Sequence, residues 1–444
     1  MPPTSATVSL HELSTLDASA RKALTRRTEA DLGPYLEKVK PIIAAVRDDG
    51  DLALSRFALE LDKAIVPANA IKVGAAEFKG AGDGVSTQVR EAIAFAIENI
   101  RKFHEAQKPE DMWMKEIRPG VWTGDRSSPI DSVACYVPRG KGSFPSVLMM
   151  STIPAKVAGV PNIALLTPPG PDGNVDAATL YACGLIGITD VYKCGGAQAV
   201  AAAAYGTETV PKCLKILGPG SPWVVAAKRL LADIIDPGIP AGPSECIVLA
   251  DDSADGRLAG LDLIIESEHG PDSSAFLVTP SRAVAEAARA AIPGYWAQMG
   301  ELRVSFSSTT LSGPRGGIVL TRDMDEAIAF TNDYAPEHLQ VLTKDPWATV
   351  GRLRNAGEIL MGRHTPTTLG NYLLGPNCVL PTGGWARTAS PLSVFDFMKR
   401  TSIAYVTEPA HAELAKHAHA LATYEGFDGH ALAVSGVRAN LLKG

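Results

Sequence analysis

The chain has 444 residues, 46% hydrophobic and 20% charged, a composition typical of a globular protein with room for about three domains. Its 42 Lys and Arg against 48 Asp and Glu give a net charge of −6, which argues against a broad nucleic-acid or anionic-membrane surface. No run of 18 apolar residues predicts a membrane span, and the first residues lack the pattern of a signal peptide. Six cysteines without a CxxC pair indicate reduced thiols in a cytoplasmic protein.

Residues from about 10 to 110 are predicted to be helical, because apolar residues recur at three- and four-residue spacing in 36–62 and 89–107. From Val133 onward, helical segments alternate with short apolar runs, which are VACYV, NIALLT, DVYKC, CLKILG and a closing ECIVLAD. Strands that are apolar throughout and alternate with helices predict a parallel sheet covered on both faces. Such a sheet binds ligands beyond the carboxyl ends of its strands.

A second alternation follows and predicts a second α/β unit. It starts with the helix LAGLDLIIESEH and supplies the strands SAFLVT, GGIVLT, HLQVLT and EILMG. The long segment 364–390 is rich in Gly, Pro and Thr, and a loop of this length inside a compact protein is usually functional. Residues from about 390 to 444 are predicted to form a helical tail.

Two carboxylate–imidazole pairs are the strongest candidates for chemistry. Glu266 and His269, three residues apart on a predicted helix, share a face and could hold a divalent metal; alternatively, His269 is hydrogen-bonded at a helix end. Glu337 and His338 follow a proline at a turn before a strand, which suits a base and a water activator, or a surface salt-bridging pair. His430 opens the last helix, where a histidine usually caps the helix or is solvated.

Two glycine-rich turns, GGAQ and GPGS, each follow a strand and precede a helix, which favours a phosphate or pyrophosphate. Neither is a GxGxxG motif. The residues alone therefore predict an α/β enzyme with a nucleotide-like ligand and a candidate metal site, but no substrate.

From about residue 35 to residue 440 the chain resembles the histidinol dehydrogenase family. The resemblance is carried by strings that occur in the family's order and spacing, which are YVPRGKGSFPS, KCGGAQAVAA, ILGPGS, IPAGPSE, SEHGPDS, APEHL, GPNCVLPTGG and EGFDGH. It implies an intertwined homodimer with two incomplete Rossmann-like α/β domains, parallel sheets and small helical N- and C-terminal segments. It also implies a four-electron oxidation of a primary alcohol, through a bound aldehyde, to a carboxylate, with NAD as oxidant and one zinc ion per subunit.

The resemblance also implies a domain organisation and a set of site residues. The implied domains are an N-terminal helical arm (1–32), a discontinuous catalytic α/β domain (33–132 and 246–385), an NAD-binding domain (133–245) and a C-terminal helical segment (386–444) that reaches the partner subunit and completes a shared active site. The implied NAD contacts are Tyr136, Gln198 and Ser221, the last where the family usually has Asn. The implied catalytic pair is Glu337 and His338. The implied substrate contacts are Ser244, Glu266, His269, His338, Asn371, Glu425 and His430, and the implied zinc ligands are Glu266, His269, Asn371 and His430.

Several positions depart from the family pattern. The family usually has Gln at the position of Glu266 and Asp at that of Asn371, so the two changes offset each other and zinc is expected to be kept. The other departures bear on the substrate, and they are Arg139 for Gly, Thr367 for Glu, Cys378 for His, and the bases Arg363 and His364 before the loop.

Fewer acids and more bases favour a neutral or anionic substrate over the ammonium group of histidinol, although Glu266 opposes this if it contacts the substrate. The sequence is similar to a branch that oxidises 2,3-dihydroxypropane-1-sulfonate to sulfolactate. The alternatives are oxidation of L-histidinol to L-histidine, with the substitutions as drift, and a metal-free, non-catalytic nucleotide-binding paralogue.

Overall fold

The structure is a computed structural model that describes residues 7–27, 32–139 and 142–442. Within these ranges the chain has thirteen strands in three sheets. The strands are β1 (Leu10–Glu12), β2 (Met112–Arg118), β3 (Val121–Pro129), β4 (Ser132–Tyr136), β5 (Asn162–Thr167), β6 (Val191–Lys193), β7 (Lys215–Leu217), β8 (Glu245–Ala250), β9 (Ser274–Thr279), β10 (Gly316–Leu320), β11 (His338–Leu342), β12 (Glu358–Met361) and β13 (Met398–Val406).

Helices connect and cover these strands. They are α1 (Ala18–Leu24), α2 (Gly33–Glu60), α3 (Ala75–Gly80), α4 (Thr87–Gln107), α5 (Pro145–Ala158), α6 (Ala177–Ile186), α7 (Gly196–Tyr205), α8 (Pro222–Leu230), α9 (Gly256–Ser267), α10 (Arg282–Trp296), α11 (Glu301–Leu311), α12 (Met324–Tyr334), α13 (Pro346–Val350), α14 (Thr367–Tyr372), α15 (Glu408–Tyr424), α16 (Asp428–Ala433) and α17 (Gly436–Leu441). Short 3₁₀ turns occupy Leu13–Thr15, Ala68–Ala70, Ala81–Gly84, Trp385–Arg387 and Val394–Phe397.

The first predicted parallel sheet is confirmed as a four-stranded sheet in the order β6-β5-β4-β7. Helices α2, α7 and α8 pack on one face, and α5 with α4 and α6 packs on the other. The chain moves outward from β4 to β5 and β6 and then returns to the far side of β4 for β7. The strand order therefore reverses between β4 and β7, which is where an open α/β sheet forms a ligand crevice.

The second α/β unit is also confirmed. Its sheet is parallel throughout, in the order β1-β10-β9-β8-β11-β12, with α9, α10 and α11 on one face and α12 and the N-terminal segment on the other. The run ECIVLAD, expected to close the first series, instead forms β8 at the middle of this second sheet. Its pairs with β9 and β11 lie further along the chain, so local sequence gave no indication of its sheet.

Four elements of this unit were not expected from the sequence, and they are β1, α11, α13 and α14. The segment 10–12, predicted as part of a helical region, is the strand β1, which pairs in parallel with β10 and places Leu10 opposite Ile318. Three residues are too few to show a hydrophobic periodicity, so the pairing with β10 determines that this segment is a strand. The helix α11 also lies where no element was predicted.

The described residues form two compact units. The first runs to Lys108 and from Ile130 to Phe397, and the second contains Pro109–Pro129 and the residues from Met398 onward. In the second unit, β2, β3 and β13 form an antiparallel sheet, and α15, α16 and α17 follow. The predicted helical tail is therefore wrong over β13, because this segment pairs with β3, far earlier in the chain. The domain boundaries implied by the family resemblance stay a prediction.

No helix within the described ranges combines the length and the hydropathy that a membrane crossing requires. All six cysteines are unpaired, and five of them are buried, as their apolar surroundings predicted.

Candidate active site

Four polar side chains stand at the amino ends of three neighbouring strands of the six-stranded sheet. Ser244 precedes β8 and Glu245 opens it, His338 opens β11, and Glu358 opens β12. The register places His338 directly opposite Glu358. Backbone N–H groups are available at this edge, and that of Glu245 donates to Oε2 of Glu337 over 2.9 Å. This sheet thus contributes its amino edge to the site, whereas the sequence led us to expect ligands at carboxyl edges.

Three of the predicted site residues lie around the carboxylate of Glu266, which is fully buried. Its Oε1 accepts a hydrogen bond from Nδ2 of Asn371 at 2.8 Å, and its Oε2 lies 3.0 Å from Nδ1 of His269. The same His269 nitrogen is 2.8 Å from Oγ of Ser244. Helix α9 ends at Ser267, earlier than predicted, but the i, i+3 spacing still brings the carboxylate and the imidazole together.

Glu337, just before β11, and His338, its first residue, lie beside the same cluster. Nε2 of His338 lies 3.7 Å from Oε1 of Glu337 and 4.0 Å from Oε2 of Glu266. Both residues are buried, with 7% and 3% of their surface exposed, so the alternative of a surface salt-bridging pair is wrong. The turn before them holds Ala335 at φ 52°, a left-handed conformation that side chains other than glycine rarely adopt. Such strain is common where a backbone must present functional groups.

Burial and mutual charge set the protonation behaviour of this cluster. Burial lowers the pKa of His338, but the charges of Glu266, Glu337 and Glu358 outweigh this and raise it to about 10. Burial raises the pKa of Glu337 well above its usual range, with only partial relief from His338. Burial also opposes ionisation of Glu266, yet the imidazoles of His269 and His338 lower its pKa overall. Glu266 is therefore the ionised carboxylate of the site, and the raised pKa of Glu337 makes its ionised form a stronger base.

A cavity of about 450 Å³ connects this cluster to the crevice of the four-stranded sheet. Its lining includes the aromatic residues Tyr35 and Trp223, together with Arg139, Ser221, Ser244 and His269. The GPGS turn after β7 therefore shares one cavity with the residues around Glu266.

The three predicted NAD residues occupy different places at the carboxyl edge of the four-stranded sheet. Ser221 is exposed on the cavity wall and is the N-cap of α8, but its side chain makes no capping hydrogen bond. Tyr136 is buried, and its hydroxyl accepts a hydrogen bond from the backbone N–H of Gly196 over 3.2 Å. Gln198 is also buried, and its Oε1 has no hydrogen-bond partner within the described chain. Their contacts with NAD stay a prediction.

Glu425 and His430 belong to the second unit. Both are exposed; Glu425 caps the end of α15, and His430 lies on α16 with its ring 5.1 Å from that of Phe427. Their roles toward substrate and zinc stay predictions.

Zinc was predicted to bind Glu266, His269, Asn371 and a histidine from a second subunit. Over residues 7–27, 32–139 and 142–442 no three His, Cys, Asp or Glu side chains form a metal-holding group, and the predicted set has only two such residues on one chain. These two fit a zinc ion, because Oε2 of Glu266 is buried beside an imidazole and has no hydrogen-bond partner in the described structure. Carboxylate oxygen and imidazole nitrogen are both donors that zinc prefers.

Three residues around Glu337 and His338 were missed by sequence reasoning. Glu358 lies 2.5 Å from Nδ1 of His338; its signal was a charged residue opening an otherwise apolar strand. Arg27 places its Nε 2.7 Å from Oε1 of Glu245 and its guanidinium over the ring of Tyr334. Glu245, whose backbone holds Glu337, carries the second missed carboxylate. Nothing in the sequence near Arg27 indicates this long-range contact.

Two parallel α/β sheets, a cavity at a strand-order reversal and a buried carboxylate–imidazole cluster together define a dehydrogenase-like α/β enzyme. The sequence model of the histidinol dehydrogenase family matches residues 25–438. The chain belongs to the histidinol dehydrogenase family and is an NAD-dependent oxidoreductase acting on a CH–OH group.

Named relatives agree with this assignment. Histidinol dehydrogenase homolog 2 of Mesorhizobium japonicum is 62% identical over 437 residues, which cover 98% of this chain and 99% of the relative. The histidinol dehydrogenase of Synechocystis is 46% identical over 431 residues, which cover 97% of this chain and 99% of the relative. The crystal structure of histidinol dehydrogenase from Elizabethkingia anophelis superposes with a TM-score of 0.92 at 32% identity and covers 99% of both chains.

Proposed function

We propose that this enzyme oxidises a small primary alcohol through a bound aldehyde to a carboxylate. The observation that supports this most is the single cavity that joins the GPGS turn to Ser244 and His269, next to Glu337 and His338. The overall reaction converts one alcohol, two NAD⁺ and one water into one carboxylate, two NADH and three protons. When bound, NAD would supply the hydride acceptor for each oxidation, and zinc would supply positive charge that polarises and orients the substrate oxygen.

His338 and Glu337 divide the proton transfers between them. With its pKa raised to about 10, His338 is neutral at alkaline pH, where its Nε2 takes the hydroxyl proton of the alcohol while the carbon loses its hydride. Glu337, held by the backbone N–H of Glu245, removes a proton from the water that attacks the aldehyde carbon and forms the hydrate. His338 releases its first proton to solvent while NADH is exchanged for NAD, and then takes a hydroxyl proton from the hydrate in the second oxidation. The buried position of both groups excludes bulk water and keeps the aldehyde in the site.

The proposed zinc ligands are Glu266, His269 and Asn371 of one subunit and His430 of the partner subunit. This arrangement requires a homodimer with a shared active site. The second unit supports it, because its surface carries many large apolar side chains, including Trp113, Ile117, Tyr405, Leu421, Tyr424, Phe427, Leu432 and Leu441. Exposed apolar surface of this extent marks an interaction site. We also propose a cytoplasmic location, which six unpaired cysteines favour.

The favoured substrate is 2,3-dihydroxypropane-1-sulfonate, oxidised to sulfolactate, or a related small diol. Arg139 lines the same cavity as Ser244 and His269 and would attract an anionic group. Thr367, where the family usually has Glu, is buried and brings no charge. Relatives 58–62% identical to this chain are named homologs of histidinol dehydrogenase, whereas those at 46% and below carry the enzyme name without that qualifier. The second candidate is L-histidinol, favoured by these same more distant relatives.

A coupled test separates the two substrates. Purified enzyme is supplied with NAD and with either 2,3-dihydroxypropane-1-sulfonate or L-histidinol, and NADH is followed by absorbance while the product is identified by mass spectrometry. We expect two NADH per sulfonate consumed and little turnover of L-histidinol. Fast release of two NADH per L-histidinol, with a slow reaction of the sulfonate, would replace the first candidate by the second.

A further inference from the structure

The imidazole of His338 has a carboxylate partner, Glu358, at its Nδ1. Glu337 and Glu266 lie on the other side of the ring, near Nε2. His338 and Glu358 are the first residues of the neighbouring parallel strands β11 and β12, and the strand register pairs them directly. Oε1 of Glu358 lies 2.5 Å from Nδ1 of His338, and both side chains are buried. The pair is thus built into the sheet and does not depend on a flexible surface contact.

Glu358 is held in place from two sides. Its backbone N–H donates to the carbonyl oxygen of Glu337 over 3.0 Å, which fixes the start of β12 against the turn before His338. Gly370 of α14 packs over the carboxylate so closely that a Cβ there would lie 3.1 Å from both carboxylate oxygens. The other oxygen, Oε2, is buried and has no hydrogen-bond partner in the described parts of the chain. The carboxylate of Glu358 is therefore directed at the imidazole of His338, and the packing against Gly370 leaves it little freedom to rotate.

The chemistry of the two groups assigns the proton between them. An ionised carboxylate only accepts hydrogen bonds, so Nδ1 of His338 must be the donor. A neutral imidazole has a single N–H, and with that N–H on Nδ1 the lone pair is on Nε2. Nε2 is the ring nitrogen that faces Glu337 at 3.7 Å and Glu266 at 4.0 Å.

From this geometry we propose that Glu358 is a positioning residue for His338: it fixes the tautomer and the ring orientation so that Nε2 receives the hydroxyl proton of the substrate. The proposal rests on the proposed role of His338 as the base. Glu358 is not among the residues that line the cavity of about 450 Å³, so we expect its loss to act on the chemical steps and not on binding.

The test compares Glu358→Gln with a matched control, Asp262→Asn. Asp262 is also a buried carboxylate and accepts a hydrogen bond from Gln340 on β11 at 2.6 Å, two residues beyond His338 on the same strand. A glutamine at 358 can turn its amide NH₂ toward Nδ1, which favours the tautomer with the proton on Nε2. We expect kcat of Glu358→Gln to fall roughly 10- to 100-fold. KM for NAD and for the alcohol should stay within about twofold of wild type.

Kinetics use whichever of 2,3-dihydroxypropane-1-sulfonate and L-histidinol the wild-type enzyme oxidises. A second readout needs no substrate: the Nδ1–H proton in a short bond to a carboxylate gives a far-downfield proton NMR signal in water. We expect this signal in the wild type and in Asp262→Asn, and its absence in Glu358→Gln and in His338→Asn. If the wild type oxidises neither alcohol, the substrate proposal fails while the NMR signal still tests Glu358.

Three results would overturn the proposal. They are a wild-type kcat in Glu358→Gln, an equal kcat loss in Asp262→Asn, and a downfield signal that persists in Glu358→Gln. Melting temperature and zinc content identify a variant that has not folded. In that event Glu358→Asp, which keeps the charge but not the reach to Nδ1, should show the same kcat loss at unchanged KM, and a wild-type kcat there counts against the proposal.

Discussion

By the family resemblance, Glu266 carries the negative charge that is expected at position 371. It is fully buried, and Asn371 donates to its Oε1 over 2.8 Å, so the two positions face each other across one site. Moving the carboxylate from one position to the other leaves the charge of the proposed zinc ligand set unchanged. We therefore propose that the two departures from the family pattern are one coupled change.

The coupling predicts how zinc content responds to substitution. Glu266→Gln removes the carboxylate of the set, so zinc measured by plasma mass spectrometry should fall from about one per subunit to a small fraction. The double variant Glu266→Gln with Asn371→Asp restores a carboxylate and should restore zinc. Glu268→Gln, two residues away, serves as control and should keep its zinc. Full zinc in the Glu266→Gln single variant would contradict the assignment.

At the scale of single elements, the start of β12 positions two acidic residues. Glu358 is its first residue, and Glu337 lies in the adjacent turn, to which the start of β12 is hydrogen-bonded. The backbone N–H of Gly357 donates to the carbonyl of Pro336 at 2.9 Å, and a Cβ on Gly357 would lie 2.5 Å from the carbonyl oxygen of Glu337. The turn before β11 and the start of β12 can approach this closely only because residue 357 has no side chain.

Gly357→Ala should therefore lower both stability and activity. We expect a loss of about 1–3 kcal/mol in the free energy of unfolding, together with a lower kcat, because Glu337 and Glu358 must shift with the backbone. Urea denaturation and steady-state kinetics measure the two effects. The control is Gly351→Ala, at an ordinary φ of −63° with no atom within 4 Å of its Cβ, which should leave both unchanged. Equal behaviour of the two variants would refute the close-approach argument.

Helix α8 carries a lysine in an unusual setting. Lys228 is buried and donates from Nζ to the carbonyl oxygen of Gly218 over 2.9 Å. Burial lowers its pKa to about 8, although Asp236 partly opposes this shift. In the unfolded chain a lysine keeps its ordinary value of 10.5. Between these two pH values the unfolded state binds more protons than the folded state, so this group makes the protein more stable as pH rises.

The prediction concerns the difference between wild type and Lys228→Met. As pH rises from 7 to 10.5, the wild type should gain about 3 kcal/mol in free energy of unfolding relative to the variant. Urea denaturation at several pH values measures this difference. Lys212→Met, which removes an exposed lysine, should follow the wild type across the range. A constant difference between wild type and Lys228→Met would show that Lys228 does not titrate in this window.

At the scale of the whole molecule, the proposed active site needs two chains. Each site would combine His338 of one subunit with His430 of the partner subunit. The variants His338→Asn and His430→Ala should each be inactive as homodimers. Subunits carrying different tags, mixed by co-expression, should give heterodimers with one intact site of two, and therefore about a quarter of wild-type activity in the total pool.

The complementation result discriminates between a shared site and an independent one. Activity should copurify with heterodimers isolated through both tags. Their mass, measured by analytical ultracentrifugation, should be that of two chains. Inactive heterodimers, or an active His430→Ala homodimer, would place the complete site within one subunit.

The sequence alone determined those features that depend on local backbone geometry. Strands such as NIALLT and SAFLVT are apolar throughout because both faces of a parallel sheet are buried, so the pattern could be recognised without tertiary information. The closeness of Glu266 and His269 followed from helical spacing, and the placing of Glu337 and His338 at a turn before a strand from local pattern, whereas the burial of that pair did not. The family resemblance, carried by short strings in a fixed order, supplied the activity class that these local patterns could not.

The tertiary structure alone decided which strands and charges meet. β13 became a strand only because β3 pairs with it, and β8 joined the second sheet because β9 and β11 flank it. Glu358 faces His338 through the register of two strands, and Arg27 reaches Glu245 from more than two hundred residues away. Local periodicity is fixed by dihedral geometry within a few residues, whereas register and long-range ion pairs are fixed by packing of the whole chain, which a single sequence does not display.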